Sequence, residues 1–271
     1  MNILIDIGNT SCKVAFCPGA PSQRLAGADV RRFATQKESI SYVRQRLSRD
    51  KADTIILSNV RKRSAYLENM LMRKCRRFIN FDEEFVHGLL ESKAPKASDP
   101  LTVLGNMPQG MGADRMAAIF GAEVLYPLCD KLVFDFGTAT TVEFIDAVAD
   151  EGSGTVTPRY VGGSISLGLQ TRYRALSHYT ARIPYLNPEE FLSGKSLGDI
   201  SCVGYDLDTA LAAGNILGIM FEIKGYVAAD RHRKVILTGG HAELFADAVD
   251  GGATVEKDLV LTGLEAIIEL L

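Results

Sequence analysis

The stretch LIDIGNTSCKVAF, residues 4–16, decides the fold. An apolar run ends on Asp6 and Ile7, turns at Gly8 through Asn9, Thr10 and Ser11, and returns as Cys12, Lys13, Val14, Ala15 and Phe16. Residues 2–8 and 12–17 are predicted as two strands joined by a tight polar turn. The pattern recurs as LVFDFGTATTVEFI, residues 132–145, where Asp135 closes a strand, Gly137 turns, and Thr138 and Thr140 lead into the returning strand. One such hairpin is an ordinary turn signal. Two, about half a chain apart and with matching hydroxyl tails, predict a duplicated fold of two similar domains.

The residue types indicate the chemistry. A tight turn after a strand presents backbone N–H groups on its concave side, and Gly8 and Gly137 lack the Cβ that would hold a ligand away. Asn9, Thr10, Thr138 and Thr140 add side-chain donors, and loops of this kind grip phosphate oxygens. A carboxylate repels phosphate, so Asp6 and Asp135 are suited to holding a cation, directly or through water. Lys13, on the returning strand, can neutralise a terminal phosphate. The two turns read as the two halves of a nucleotide-phosphate clamp.

The totals set wider bounds. The chain has 271 residues, 46% hydrophobic and 23% charged, with a formal net charge of -3. A sizeable core is expected, and no whole-chain attraction to nucleic acid or an anionic membrane. The basic residues Arg61 to Arg63, with Arg73, Lys74, Arg76 and Arg77, read as the solvated face of a helix. Five cysteines, at 12, 17, 75, 129 and 202, form no C-x-x-C pair and suit a reducing cytoplasm. No signal peptide and no membrane span are expected. The four histidines show no ligand spacing and read as structural or exposed.

Strands and helices alternate, so the class is α/β. Helices are predicted over 37–49, 63–76, from Gly112 to Pro127, over 169–178 and over 206–229. Strands are predicted at 54–57, 131–136, 140–146 and 235–237. A long loop is expected over 91–111 and an exposed hairpin tip over 147–159. Gly194-Lys195-Ser196 looks like the end of a Walker A loop, but Glu189 stands where its first glycine belongs and no strand leads in.

Several motifs together resemble a known family. Paired Asp-x-Gly hairpins are similar to those of the ribonuclease H-like fold shared by actin, Hsp70 and sugar kinases. Within it, D-I-G-N-T at 6–10, G-A-D-R at 112–115, D-F-G-T-A-T-T at 135–141, G-G-S-I at 162–165 and T-G-G at 238–240 resemble type III pantothenate kinase. The resemblance implies two duplicated ribonuclease H-like domains, 1–112 and 113–271, with ATP in the cleft. It implies ATP-dependent phosphorylation of pantothenate, the first step to coenzyme A, with Mg²⁺ and a monovalent cation (K⁺ or NH₄⁺). Asp6, Ile7, Gly8, Asn9, Thr10, Ser11, Cys12 and Lys13 would form the first ATP phosphate loop, and Thr138 a further ATP contact. Asp114 would be the general base, Gly112, Ala113 and Arg115 would belong to the pantothenate site, and Asp135 would hold the monovalent cation. A homodimer is implied, with the long apolar helix at 206–229 near its contact.

The pattern departs from the family on the acceptor side. Gly105 stands where a substrate-contacting tyrosine is common, Leu197 where a threonine is common, and Leu167-Gly168 where Pro-Gly is usual. These changes leave open a nucleotide-binding regulatory protein of the same fold, or a kinase for another small hydroxy compound.

Overall fold

The computed structural model describes residues 1–18, 25, 27–47 and 50–271. In chain order the elements are β1 (Asn2–Ile7), β2 (Cys12–Cys17), β3 (Asp29–Phe33), α1 (Gln36–Arg46), β4 (Ala52–Asn59), α2 (Ala65–Met72), β5 (Cys75–Phe81), α3 (Glu83–Lys93) and α4 (Ala113–Leu125). There follow β6 (Lys131–Phe136), β7 (Ala139–Ala149), β8 (Val156–Leu167), α5 (Leu169–Tyr179), α6 (Pro188–Phe191), α7 (Leu207–Ala229), β9 (Lys234–Gly239), α8 (Ala242–Phe245), β10 (Thr254–Val255) and α9 (Leu259–Glu269).

The strands form two five-stranded sheets, ordered β3-β2-β1-β4-β5 and β10-β9-β6-β7-β8. In each, a hairpin leads: β1 pairs antiparallel with β2, and β6 with β7. In each, a later strand then joins parallel to the first, β4 beside β1 and β9 beside β6. The same order of connection occurs twice, which is the duplication that the two Asp-x-Gly hairpins predict. The chain divides into two compact units, one of residues 1–128, 146–160 and 258–271, the other of 129–145 and 161–257. A boundary between residues 112 and 113 falls inside the first of these.

Each unit has its own core. In the first, Ile3, Ile5 and Ile7 of β1 pack with Val14 and Phe16 of β2, Ile55 and Leu57 of β4, and Val43, Leu67 and Leu71 from α1 and α2. In the second, Phe134 and Phe136 of β6 pack with Leu237 of β9, Phe245 of α8, and Leu211, Ile216, Leu217, Ile219 and Ile223 of α7. By length and composition α7 could cross a membrane, but these five residues are buried in the core of their own unit. Side-chain caps mark several helix starts: Thr35 and Glu38 form a reciprocal capping box on α1, and Ser64, Asp82 and Asp206 cap α2, α3 and α7.

Several elements differ from the sequence reading. The predicted helix 63–76 ends at Met72, and Cys75–Phe81 is a parallel strand on the edge of the first sheet. Arg76 and Arg77 are therefore exposed positions of a strand, where a helix face was expected. The loop expected over 91–111 contains the end of α3 and a 3-10 helix at Pro100–Asn106, started by Asp99 accepting from the Leu101 N–H. The predicted tip at 147–159 shrinks, because β7 and β8 run to Ala149 and from Val156. Ser48 and Arg49, the last positions of the predicted helix 37–49, lie outside the described residues.

Candidate active site

In the first unit, the turn between β1 and β2 is closed by the Gly8 N–H donating to Ser11 O at 3.0 Å. A Cβ on Gly8 would lie 3.1 Å from that same oxygen, tighter than ordinary contact. Asn9, Thr10 and Ser11 are exposed on the turn. Ile7 and Cys12, directly paired at its base, point into the core, so neither side chain is presented at the turn. Burial pushes the Cys12 thiol up from its usual range, against smaller opposing effects of the Ser39 hydrogen bond and the Arg61 charge. Asp6 is buried and accepts from Ser58 Oγ at 3.1 Å. Lys13, opposite Asp6 in the register, forms an ion pair at 3.5 Å with Asp258, which also accepts from Arg32.

The G-A-D-R motif opens α4. Gly112 is the N-cap and supplies no side-chain bond, so the carboxylate of Asp114 in the first turn is the acidic group facing the helix's positive end. One Asp114 oxygen accepts from the Arg115 N–H at 2.8 Å. A side chain on Gly112 would come within 2.6 Å of Asp114 Oδ1 and 3.7 Å of Val60 Cγ1. The glycine thus leaves the room that the Asp114 carboxylate occupies. Arg115 and Asp114 are half-buried, and an Arg115 guanidinium nitrogen lies 3.4 Å from Tyr160 Oη. Asn106 in turn donates to the Tyr160 carbonyl at 2.5 Å.

In the second unit, the β6–β7 turn is closed by the Gly137 N–H donating to Ala139 O at 3.0 Å. The Thr138 carbonyl accepts twice, from the Gly168 N–H at 3.1 Å and from Thr171 Oγ1 at 2.6 Å. Gly168 packs so closely on residues 137 and 138 that any Cβ there would collide with them. Asp135 is half-buried beside Thr238 of β9. Gly239 has φ +91°, and a side chain there would strike Asp135 Oδ1 and lie 2.6 Å from the Phe136 N. Glycine thus lets the β9 backbone pack directly against the Asp135 carboxylate. Thr140, read from sequence as a donor at the turn, is instead buried in β7. Leu197 is buried and Gly105 is exposed in the 3-10 helix, so neither restores the polar group of the family pattern.

The structure brings Asp6 to Lys13 and Gly112 to Arg115 into one unit, and Asp135 with Thr138 into the other. Arg61, Ser58, Asp258 and Tyr160 touch these residues and were not singled out as site residues from the sequence. Their partners are far along the chain, so no local spacing marks them. Only the polar pair Ser58-Asn59 after an apolar strand gives a hint.

The type III pantothenate kinase model matches residues 2–229. The chain belongs to the type III pantothenate kinase family. A type III pantothenate kinase of Porphyromonas gingivalis is 34% identical over 275 residues, spanning 99% of this chain and 98% of its own. Among solved structures, a Baf family protein from Campylobacter jejuni aligns with a TM-score of 0.57 at 22% identity, over 98% of this chain and 97% of that one. The activator of 2-hydroxyisocaproyl-CoA dehydratase from Clostridium difficile, solved with ADPNP, aligns with a TM-score of 0.54 at 11% identity, over 99% of this chain and 94% of that one. At such identities these two carry the fold alone, the two-domain α/β architecture of the actin, Hsp70 and sugar kinase type.

Proposed function

We propose that this member of the type III pantothenate kinase family uses ATP to phosphorylate pantothenate, the first step of coenzyme A biosynthesis. Family membership supports the phosphotransferase class. The observation that carries the residue roles is the seat of Asp114. Its carboxylate lies at the N-terminal end of α4, beside the Gly112–Val60 approach, in the unit that also holds the turn at residues 8–11.

Asp114 takes the proton of the acceptor hydroxyl as that oxygen bonds to the γ-phosphorus of ATP, and the bond from phosphorus to the bridging oxygen breaks to release ADP. The backbone of Asp6 to Lys13 and the Lys13 ammonium hold phosphate oxygens, with Thr138 as a further contact. Arg115 pairs with the pantothenate carboxylate. When bound, Mg²⁺ and a monovalent cation neutralise phosphate charge. Cations of this kind prefer oxygen ligands, and the half-buried Asp135 carboxylate would supply one to K⁺ or NH₄⁺. Among the described residues no cluster of three or more His, Cys, Asp or Glu is found, so phosphate, water and backbone oxygens would complete such a shell. A homodimer and a cytoplasmic location belong to the same reading.

Release of ADP from ATP, Mg²⁺ and pantothenate, with K⁺, NH₄⁺ or Na⁺, tests it. Turnover should need K⁺ or NH₄⁺, and Asp114→Asn should lower kcat by about 10²- to 10⁴-fold. Asp114→Asn turnover equal to wild type would remove Asp114 as the base. The buried Leu197 and the bare Gly105 favour one second reading, a kinase of the same fold for another small hydroxy compound. ADP release with that acceptor and none with pantothenate would establish it. ATP binding with no acceptor turned over would indicate a regulatory protein.

A further inference from the structure

The end of β4 and the segment that follows it are bonded in order to the end of β1 and the first turn. Ser58 Oγ donates to Asp6 Oδ1 at 3.1 Å. The Val60 N–H donates to Ile7 O at 3.2 Å. Arg61 Nε donates to Gly8 O at 2.8 Å, and its Nη2 to Asn9 O at 2.9 Å. Arg61 is itself set by its N–H, which donates to Asn59 Oδ1 at 2.9 Å. Arg61 is half-buried, unlike the exposed Lys62 and Arg63 beside it.

The two carbonyls decide which way the turn's donors point. Peptide units are planar, and every peptide bond described is trans. The C=O of one residue and the N–H of the next therefore point in opposite directions. With Gly8 O and Asn9 O held by one rigid guanidinium fork, the N–H groups of Asn9 and Thr10 are aimed away from Arg61. The second unit meets the same need differently: there Gly168 and Thr171 hold the Thr138 carbonyl, which aims the Ala139 N–H away from them.

We infer that Arg61 is a positioning residue for ATP, setting the direction of the Asn9 and Thr10 N–H donors that meet its phosphates. The inference rests on the nucleotide reading of the turn. Lysine can keep the charge and one bond, but it cannot span both carbonyls with a planar fork. Glutamine removes the charge and the fork together.

The test compares wild type, Arg61→Gln, Arg61→Lys and the neighbouring Arg63→Ala, whose guanidinium faces Glu68 at 3.0 Å. The readouts are the Kd of ATP and of adenosine by calorimetry, KM for ATP and for pantothenate, and the melting temperature. Loss of a charged hydrogen-bond pair predicts ATP binding about tenfold or more weaker in Arg61→Gln. Adenosine binding and KM for pantothenate should stay near wild type. Arg61→Lys should recover part of the loss, and Arg63→Ala should match wild type. A folded Arg61→Gln or Arg61→Lys variant that binds ATP as wild type does would overturn the inference while leaving the nucleotide reading standing. Equal weakening for ATP and adenosine would reduce Arg61 to a general structural role. A wild type that binds no ATP would overturn the nucleotide reading itself, and this inference with it.

Discussion

Glu265, on α9, accepts from the Leu25 N–H at 2.6 Å and lies beside the buried Cys17. Burial raises its carboxyl above the ordinary 4.5, more than the bonds from Leu25 and Cys17 lower it. Burial likewise pushes the Cys17 thiol up to about 12. A carboxyl raised in the folded state holds its proton more readily there than in the unfolded chain. Its stabilising effect is full below the unfolded value and is lost as pH rises through the folded one. Glu265→Gln keeps an acceptor for the Leu25 N–H and removes the charge. The variant should melt higher than wild type at pH 7 to 8, and the gap should close toward pH 4, with about 1.4 kcal/mol for each tenfold change in proton affinity. A gap that stays constant across that range would show that the carboxyl does not titrate abnormally. Residues of this kind were not legible in the sequence, because their environment is made by distant segments. Gly8 and Asp114 were legible, since a turn glycine and a first-turn acid are marked by immediate neighbours. Arg61 was misread as a solvated charge because its two carbonyl partners lie over fifty residues away.

Among elements, the hairpins β1–β2 and β6–β7 follow directly from alternating apolar residues around a glycine turn. The end of α2 and the start of β5 do not, since Arg73 to Arg77 suit an exposed helix face as well as an exposed strand. Helix α9 has eight of its eleven residues buried and keeps its two carboxylates, Glu265 and Glu269, on one side, four residues apart. It packs on α4, β1 and β4. The α4–α9 contact depends on two glycines. A Cβ on Gly121 would lie 2.5 Å from Leu259 O, and one on Gly263 would collide with Ala117 O. Backbone carbonyls cannot yield as a side-chain tip can, so the helices would have to separate. Gly263→Ala should therefore destabilise the fold by about 1–3 kcal/mol, as overpacked sites do. Gly88, exposed in α3 with no atom within 4 Å of its missing Cβ, gives the opposite expectation. Gly88→Ala should stabilise by about 0.5–1 kcal/mol through helix propensity alone. Urea unfolding of both variants checks the pair. A neutral Gly263→Ala would mean that the helices have room to part.

At the scale of the molecule, the duplicated order of strands was legible from two copies of one short motif, whereas the surface that a second copy would cover was not. The second sheet ends on β8 as an edge strand. Its even positions face α7, with Ser164 bonded to Tyr226 Oη at 2.7 Å and Ser166 to Glu222 at 2.9 Å. Its odd positions carry Val161, Ile165 and Leu167, which are 53%, 62% and 49% exposed. Three large apolar side chains in alternate positions on an edge strand make a surface that soluble proteins normally cover. The sequence reading placed the dimer contact near α7. The pattern of exposure favours the odd face of the neighbouring β8, because most of the apolar residues of α7 are spent on its own core. The proposed homodimer would bury this face. Sedimentation at micromolar concentration should then give a dimer for wild type and a monomer for Ile165→Asp, since an uncompensated carboxylate at an apolar contact is costly. A wild-type monomer would sink the dimer, and a dimeric Ile165→Asp would move its contact away from β8.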